Sequence, residues 1–231
     1  MNFDSQLIPG VLIKRYKRFF IDIKINNKKI TAHCPNTGSM MGLLEKGKKV
    51  WITKTNNKKR KLKYTLQIIE DNNNKVGVNT HFTNKIVLEA LRSRYIKQFN
   101  AKSKILTEQK FGENTRFDFL IKNNKSRSFV EVKNVTLSRV SGLAEFPDAI
   151  TSRGAKHLKE LIKATKKGYK SYLFFIVQRE DCKKFAVASD IDCEYSKLLT
   201  LALKNNVKII CYDCKFSSKG ILLNKKLKLK I

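Results

Sequence analysis

The chain has 231 residues, 42% of them hydrophobic, and 49 Lys and Arg oppose 19 Asp and Glu, for a formal net charge of +30. This apolar content supports one large or two small domains and excludes a disordered chain. The charge indicates a polyanionic partner, nucleic acid before an anionic membrane surface, although an AT-rich genome would also enrich lysine without selection for binding.

The amino-terminal segment, residues 1–5, lacks the basic and apolar regions of a signal peptide. The longest aliphatic and aromatic run, residues 172–177, is far too short to cross a bilayer. We therefore expect a cytoplasmic protein that has no membrane partner. The sequence leaves its oligomeric state open.

Residues 1–82 are predicted to form an OB-like β-barrel domain. Short strands separated by polar turns, with no helix between them, are typical of a small closed barrel that binds nucleic acid. The predicted strands are Val11–Tyr16, Phe19–Ile25, Ile30–Cys34, Val50–Thr53, Tyr64–Ile69 and Val76–Val78.

Cationic and aromatic side chains interleave near the start of this barrel. Arg15, Tyr16, Lys17 and Arg18 follow one another directly. Aromatic rings stack on bases and cations neutralise phosphates, so the pattern predicts a nucleic-acid-binding surface. The alternative is a solvated strand edge that lysines protect from aggregation.

Two further parts of the barrel are candidates for phosphate contact. One is the adjacent cations Arg60 and Lys61. The other is a polar loop that carries Asn36, Thr37 and Ser39, whose amide, hydroxyl and backbone N–H groups could hold a phosphate. The alternative for the loop is purely architectural, because its Pro and Gly residues fix turns.

Residues 83–231 are predicted to form an α/β domain. The spacing of apolar residues predicts a helix that begins near Ile86. Three strands follow, and two further helices then alternate with two strands. The predicted order is α-β-β-β-α-β-α-β, with strands at 103–109, 115–121, 128–132, 171–177 and 207–211, and helices at 151–167 and 195–204.

Asp118, Glu131 and Lys133 are the candidate catalytic residues. Two short strands joined by a polar turn at 122–126 carry them, and the two-residue period of a strand places Glu131 and Lys133 on one side. Asp118 can meet Glu131 across the pair, and such carboxylates would bind Mg²⁺ or Mn²⁺. The alternative is a chance Glu-x-Lys on an exposed strand edge.

Other residues are candidates for completing this site. Glu89 on the first helix, or Glu108 on the first strand, would add a carboxylate, and Glu89 is preferred. Arg153 and His157 are four residues apart on one helix face, where they would grip a phosphate unless the face is merely cationic. Gln178, just after a buried strand, would orient a base or the backbone.

Asp118 followed by Glu131-x-Lys133, in this order of elements, resembles the core of the PD-(D/E)xK nuclease superfamily. Phe117 replaces the proline that usually precedes the first Asp. Longer strings over nearly the whole chain resemble the family of sugar fermentation stimulation proteins, and they include residues 15–19, 33–40, 60–62, 77–80, 116–120, 131–137, 146–149 and 153–158.

The resemblance implies an OB-like barrel before a nuclease-like α/β domain. It also implies a bacterial protein that binds DNA non-specifically and is linked to the regulation of sugar use, particularly of maltose. The alternative is a Mg²⁺-dependent endonuclease that hydrolyses phosphodiester bonds at Asp118, Glu131 and Lys133.

Overall fold

The computed structural model describes residues 1–99, 102–113, 115–124 and 126–231 of the chain. Lys125, which belongs to the predicted turn at 122–126, lies outside the described residues. No helix in the described part of the chain is long and apolar enough to cross a membrane.

The first unit is a closed five-stranded β-barrel of the OB type, as predicted. Its strands pair in the order β3-β2-β1-β4-β5, a bridge between His33 and Thr65 joins β3 to β5, and β6 pairs with β5. The strands are β1 Ile8–Tyr16, β2 Phe20–Ile25, β3 Lys28–His33, β4 Lys49–Lys54, β5 Tyr64–Asp71 and β6 Asn74–Gly77.

Tight turns set the register of the antiparallel strands in this barrel. Asn26 and Asn27 join β2 to β3, and Asn72 and Asn73 join β5 to β6, all with positive φ. Asparagine tolerates this left-handed backbone better than most residues, and paired positive φ values suit the twist of a hairpin. Buried aliphatic side chains, among them Leu12, then fill the barrel interior.

The second unit is a mixed α/β domain around a six-stranded sheet. The sheet order is β15-β14-β12-β9-β8-β7, with β9, β12 and β14 parallel. A 3₁₀ turn at Thr80–Phe82 leads into it. Its elements are α1 Thr83–Arg92, β7 Lys104–Phe111, β8 Thr115–Lys122, β9 Arg127–Val135, β10 Leu137–Val140, β11 Leu143–Phe146, α2 Ser152–Lys166, β12 Lys170–Val177, β13 Lys184–Val187, α3 Cys193–Lys204, β14 Lys208–Phe216, β15 Ile221–Lys226 and β16 Lys228–Lys230.

Helices cover both faces of this sheet. The apolar side of α1 packs on one face together with Val130 and Val132, and α2 and α3 pack on the other with Phe129 and Leu173. Alternation along β9 therefore turns Glu131 towards α2 and α3. The position of the acidic site follows from this layering.

Five strands of the second unit are absent from the sequence-based prediction. Four of them, β10, β11, β13 and β16, form a separate small sheet in the order β10-β11-β13-β16, and β15 extends the main sheet. The strands of the small sheet contain only three or four residues each, too few for a period-two pattern.

Specific polar contacts join the two units. Buried Arg179 donates to Asp71 of the barrel at 2.8 Å and to Asp181 at 2.7 Å. The Ser39 hydroxyl of the barrel donates to the backbone and side chain of Asp148 at 2.8 and 3.1 Å. The Ser39 contacts hold the barrel loop at 36–40 against the segment between β11 and α2.

Candidate metal centre and nucleic-acid interface

Asp118 lies where the antiparallel ladder between β8 and β9 opens. Phe119 pairs with Val130, so the register would put Asp118 opposite Glu131, but the ladder stops there. Instead, the Val132 N–H donates to the Asp118 carboxylate at 2.7 Å. Asn84, in the first turn of α1, donates to its other oxygen at 2.7 Å. Asp118 thus replaces backbone pairing at the opening of the sheet.

Glu131 is buried and is held by cationic and aromatic neighbours. Its Oε1 accepts from Lys133 Nζ at 2.8 Å, and the His157 ring nitrogen Nδ1 makes a very short contact with the same oxygen. Its Oε2 is buried and has no hydrogen-bond partner among the described residues. The fully buried Tyr195 hydroxyl also has no partner there. An unpartnered carboxylate oxygen at this depth indicates a place for a further ligand.

The electrostatics of the pair support the same conclusion. Burial and the neighbouring charge of Glu131 raise the pKa of Asp118 to about 6. Burial opposes ionisation of Glu131, but Lys133 and His157 outweigh it and leave the pKa of that carboxyl below its ordinary value. Burial and the charge of Glu131 raise the pKa of Tyr195. The charge of Glu131 thus raises the cost of ionising Asp118, and a bound cation would relieve that cost.

The two acids fit a hard divalent cation with an incomplete protein shell. Among the described residues, no three His, Cys, Asp or Glu side chains converge as a full set of metal ligands. Mg²⁺ commonly takes one or two protein carboxylates and keeps several waters. The free Oε2 of Glu131 and the carboxylate of Asp118 match that requirement.

The structure does not bring the preferred third acid, Glu89, into this site. Its carboxylate contacts the Met1 ammonium and is 55% exposed. The reason is helical geometry: Asn84 reaches Asp118, and a residue five positions later on α1 lies about 140° around the helix. Glu108 is at the register position opposite Asp118 on β7, with φ of 51°, but is exposed to solvent.

Three other predicted residues have different surroundings from one another. His157 is buried against Glu131 and lies 3.3 Å from Lys133 Nζ, so it supports the acidic pair and does not present a phosphate-binding surface. Arg153, one turn earlier, is exposed. Gln178 is fully buried and donates to Asn134 at 2.6 Å, beside the site.

Arg15, Asn36 and Ser39 serve the architecture of the barrel. The Arg15 guanidinium donates to the carbonyls of Arg18, Gly38 and Asn36 at 2.8, 3.0 and 2.6 Å. The buried Asn36 side chain donates to the Val78 carbonyl at 3.2 Å. Ser39 binds Asp148, as described above. The prediction that these three side chains face nucleic acid is therefore corrected, since their polar groups form hydrogen bonds within the protein.

Other predicted nucleic-acid contacts remain on the surface. Lys17 and Arg18 are exposed at the turn between β1 and β2, with φ of 45° and 59°. Tyr16 is half-exposed, stacks on Phe20 and donates to Asp22 at 3.2 Å. Thr37 and Lys61 are exposed, and Arg60 is half-buried. The cations at this turn are placed to meet a phosphate backbone.

Two residues of the site were not found from the sequence. Asn84 binds Asp118, and Tyr195 packs near Glu131 from α3. Asn84 lies in the first turn of a predicted helix, a position that alone predicts no contact. Tyr195 follows the Asp192 cap of α3 by three residues, and only the fold brings it beside β9.

Fold and site together define a two-domain protein in which an OB-type barrel is joined to a mixed α/β unit that carries an acidic pair in its sheet. The chain belongs to the sugar fermentation stimulation protein (SfsA) family. Family models described as "SfsA N-terminal OB domain" and "Sugar fermentation stimulation protein RE domain" match residues 13–78 and 81–220.

Several relatives match over nearly the whole chain. A sugar fermentation stimulation protein homolog of Pelagibacter ubique is 55% identical and covers 99% of both chains. A homolog from Ruegeria sp. is 43% identical, over 96% of this chain and 97% of its own. A solved structure described as Pyrococcus furiosus SfsA in complex with Ca²⁺ has a TM-score of 0.89 and 25% identity, covering 100% of this chain and 98% of that one.

Proposed function

We propose that this protein binds DNA without sequence specificity and holds a divalent cation, Mg²⁺ or Mn²⁺, between Asp118 and Glu131. The observation that carries the cation site is the buried Oε2 of Glu131, which has no hydrogen-bond partner among the described residues. The cost of ionising Asp118 beside it supports the same site. The Pyrococcus relative is described as a complex with Ca²⁺, another hard cation that oxygen ligands bind.

The DNA-binding part of the proposal rests on exposed cations that have no carboxylate partner among the described residues. Lys17 and Arg18 extend from a tight turn, and no carboxylate of the described residues pairs with them. The net charge of +30 adds a long-range attraction to any polyanion. Contacts of this kind reach phosphates and carry no base readout, so binding would be non-specific. The link to sugar and maltose use follows from the family name and the resemblance alone.

A second candidate function is Mg²⁺-dependent cleavage of DNA. The observation that favours it is Lys133, whose ammonium lies 2.8 Å from Glu131 and whose side chain is still 12% exposed. A bound divalent cation would supply Lewis-acid stabilisation of phosphate charge. Asp118 and Glu131 would hold it, Lys133 would orient water or neutralise the phosphate, and His157 would fix Glu131 in place.

The deciding experiment incubates the protein with supercoiled, linear, single-stranded and branched DNA in Mg²⁺, Mn²⁺ or EDTA. Glu131→Gln and Lys133→Met variants are run in parallel. The matched control is Glu194→Gln, which removes an acid that is 70% exposed and lies outside the site. DNA binding and cleavage are measured separately, by gel shift in EDTA and by product analysis.

Cleavage that requires metal and is lost in both site variants, but not in the control, would establish the endonuclease. Binding to every substrate without cleavage would leave the DNA-binding function and remove the second candidate. Failure to bind DNA at physiological salt would overturn the first proposal.

A further inference from the structure

A polar cavity lies beside the seam between β3 and β5 that closes the barrel. Its volume is about 700 Å³, within the range of small-ligand pockets. The bridged pair His33 and Thr65 contributes to one wall, and Phe82 and Lys85 at the start of α1 contribute to another. It is separate from the acidic pair, none of whose residues lines it. The remaining lining residues are Asp4, Ser5, Thr53, Lys54, Thr55, Asn56, Asn57, Arg60, Gln67, Asn79 and His81.

Unpaired cations dominate this cavity. Arg60, Lys54 and Lys85 line it against a single acid, Asp4, and no ion pair joins any of the four to another described residue. Among the described residues, the Arg60 guanidinium makes one hydrogen bond, to the Thr65 hydroxyl at 3.0 Å. A guanidinium has five N–H donors, so most of them remain available to a ligand.

Two histidines also line the cavity. His33 and His81 have ring centroids 6.4 Å apart. Burial, the Arg60 charge and His81 together lower the pKa of His33. Burial and the Arg60 charge thus disfavour protonation of His33, and an anion bound beside Arg60 would offset the effect of that charge.

The floor of the cavity is rigid and polar. The Gln67 amide donates to Thr53 at 2.7 Å, the Asn79 amide donates to Gln67 at 2.7 Å, and the His81 N–H donates to Asn79 at 3.0 Å. Because these groups satisfy one another, they position the cationic rim without competing for its donors. A fixed floor of this kind lowers the ordering cost of binding.

We propose that this cavity binds the phosphate of a nucleotide-sized ligand, with Arg60 as the main contact and His33 and His81 beside it. The planar guanidinium matches two phosphate oxygens, which a lysine cannot do. The volume exceeds that of one phosphate and leaves space for a sugar and base near the Phe82 ring. The site is independent of the acidic pair and requires no metal.

The same chemistry has two sources, a free mononucleotide or one nucleotide of a bound strand. Lys85 and Asn84 are neighbours in the first turn of α1, and Asn84 binds Asp118. A strand that passed α1 would therefore meet both places. The test must separate the free ligand from the strand.

The protein has three histidines, and this allows one experiment to report on both sites. Imidazole NMR signals are followed while thymidine 5′-monophosphate is added in EDTA. We expect the His33 and His81 signals to move while His157, bonded to Glu131, stays unchanged. Adding Mg²⁺ to the free protein should move His157 alone. Each proposal can therefore fail without the other.

Variants and matched ligands complete the test. Arg60→Met should weaken binding of the mononucleotide on the order of tenfold, whereas Lys59→Met, which removes an exposed charge outside the cavity, should leave it within twofold. Thymidine should not bind. If only a single-stranded oligonucleotide moves His33 and His81, with the same Arg60 dependence, the phosphate comes from a strand.

Three results would overturn the inference. One is the absence of any shift at His33 and His81 with either ligand. Another is equal binding of thymidine and its monophosphate. The third is an equal loss in the Arg60 and Lys59 variants, which would show that only the net charge of the chain matters. Comparing the amide spectra of the variants shows whether each is folded.

Discussion

The two charged places of this protein are built in opposite ways. Of the acidic pair in the sheet, Glu131 is buried and Asp118 is half-buried, and most of their oxygens are already held by specific donors. The cationic cavity around Arg60 opens to solvent, and its charges are largely unpaired. Ionising the acidic pair costs free energy because solvent is largely excluded, and a bound cation would reduce that cost. Solvent screens the cations of the cavity, so they cost little free energy, and a bound anion would find them available.

This difference shows which charged residues indicate a binding site in a very basic chain. Forty-nine Lys and Arg side chains make a cationic surface unavoidable, so a surface lysine indicates little by itself. Buried acids are the exception, because burying a carboxylate costs free energy unless a partner compensates. Glu131 is such an acid, it lies beside the half-buried Asp118, and one of its oxygens has no partner among the described residues, so a bound ligand is the simplest compensation.

The largest expected effect is on cation binding. Glu131→Ala removes the free oxygen and leaves one carboxylate, so affinity for Mn²⁺ should fall on the order of 100-fold, as measured by isothermal titration calorimetry. His157→Ala, which removes only a partner of Glu131, should cost on the order of tenfold. An affinity for Mn²⁺ that is unchanged in Glu131→Ala would place the cation elsewhere.

A smaller effect is expected on stability. Replacing Asp118 with Asn should stabilise the protein, whereas most substitutions inside a protein destabilise it. In EDTA, the folded protein holds a proton on Asp118 up to about pH 6, against an ordinary pKa of 3.8. Stability is therefore lost as pH rises through this window. Asp118→Asn keeps an acceptor for the Val132 N–H without the charge, and should raise the free energy of unfolding on the order of 2 kcal/mol at pH 7.5.

Urea unfolding at several pH values checks this expectation. The advantage of Asp118→Asn should shrink below pH 6 and be nearly absent well below pH 3.8, where the carboxyl is protonated in the folded and the unfolded protein alike. Saturating Mn²⁺ should remove the advantage at pH 7.5, since only the native residue gains from the cation. A variant that is less stable at every pH would show that the contacts of Asp118 outweigh its charge.

Much of the fold could be predicted because its patterns are local. The barrel strands alternate and end in polar turns, and β9 shows Glu131 and Lys133 on one side of an apolar strand. The partners of the acids could not be predicted, since Asn84 and Tyr195 come from helices that tertiary packing alone brings to β8 and β9. Glu89 was placed wrongly because the sequence does not give the rotation of α1.

The barrel residues show a related difficulty. An arginine beside aromatic residues has the same appearance whether it contacts phosphate or carbonyl groups. Arg15 donates to four carbonyls, three of which belong to a loop about twenty residues later in the chain, so this role depends on the path of that loop. Only the structure separates it from Arg18, three positions further on.

Arg15→Ala should therefore destabilise the barrel and affect DNA binding only indirectly. Loss of a charged donor to several carbonyls costs on the order of 1–2 kcal/mol, and the loop at 36–39 should gain hydrogen exchange. Arg18→Ala is the matched comparison, because its side chain is exposed, and it should leave stability within about 0.5 kcal/mol. Equal stability of the two variants would return Arg15 to the list of surface cations.

The smallest expected effect concerns the turn between β1 and β2. Replacing both Lys17 and Arg18 with Ala removes two exposed cations that would neutralise DNA phosphates. The plot of log K against log salt concentration should then become less steep by about 1.5, because each lost phosphate contact contributes 0.7 to 0.9. Arg60→Met should reduce the slope by about half as much, since one cation is lost.

Lys59→Met serves as the control for an exposed charge near the cavity. An unchanged slope in the double variant would remove the turn from the interface and leave the cavity as the place where the barrel meets phosphate.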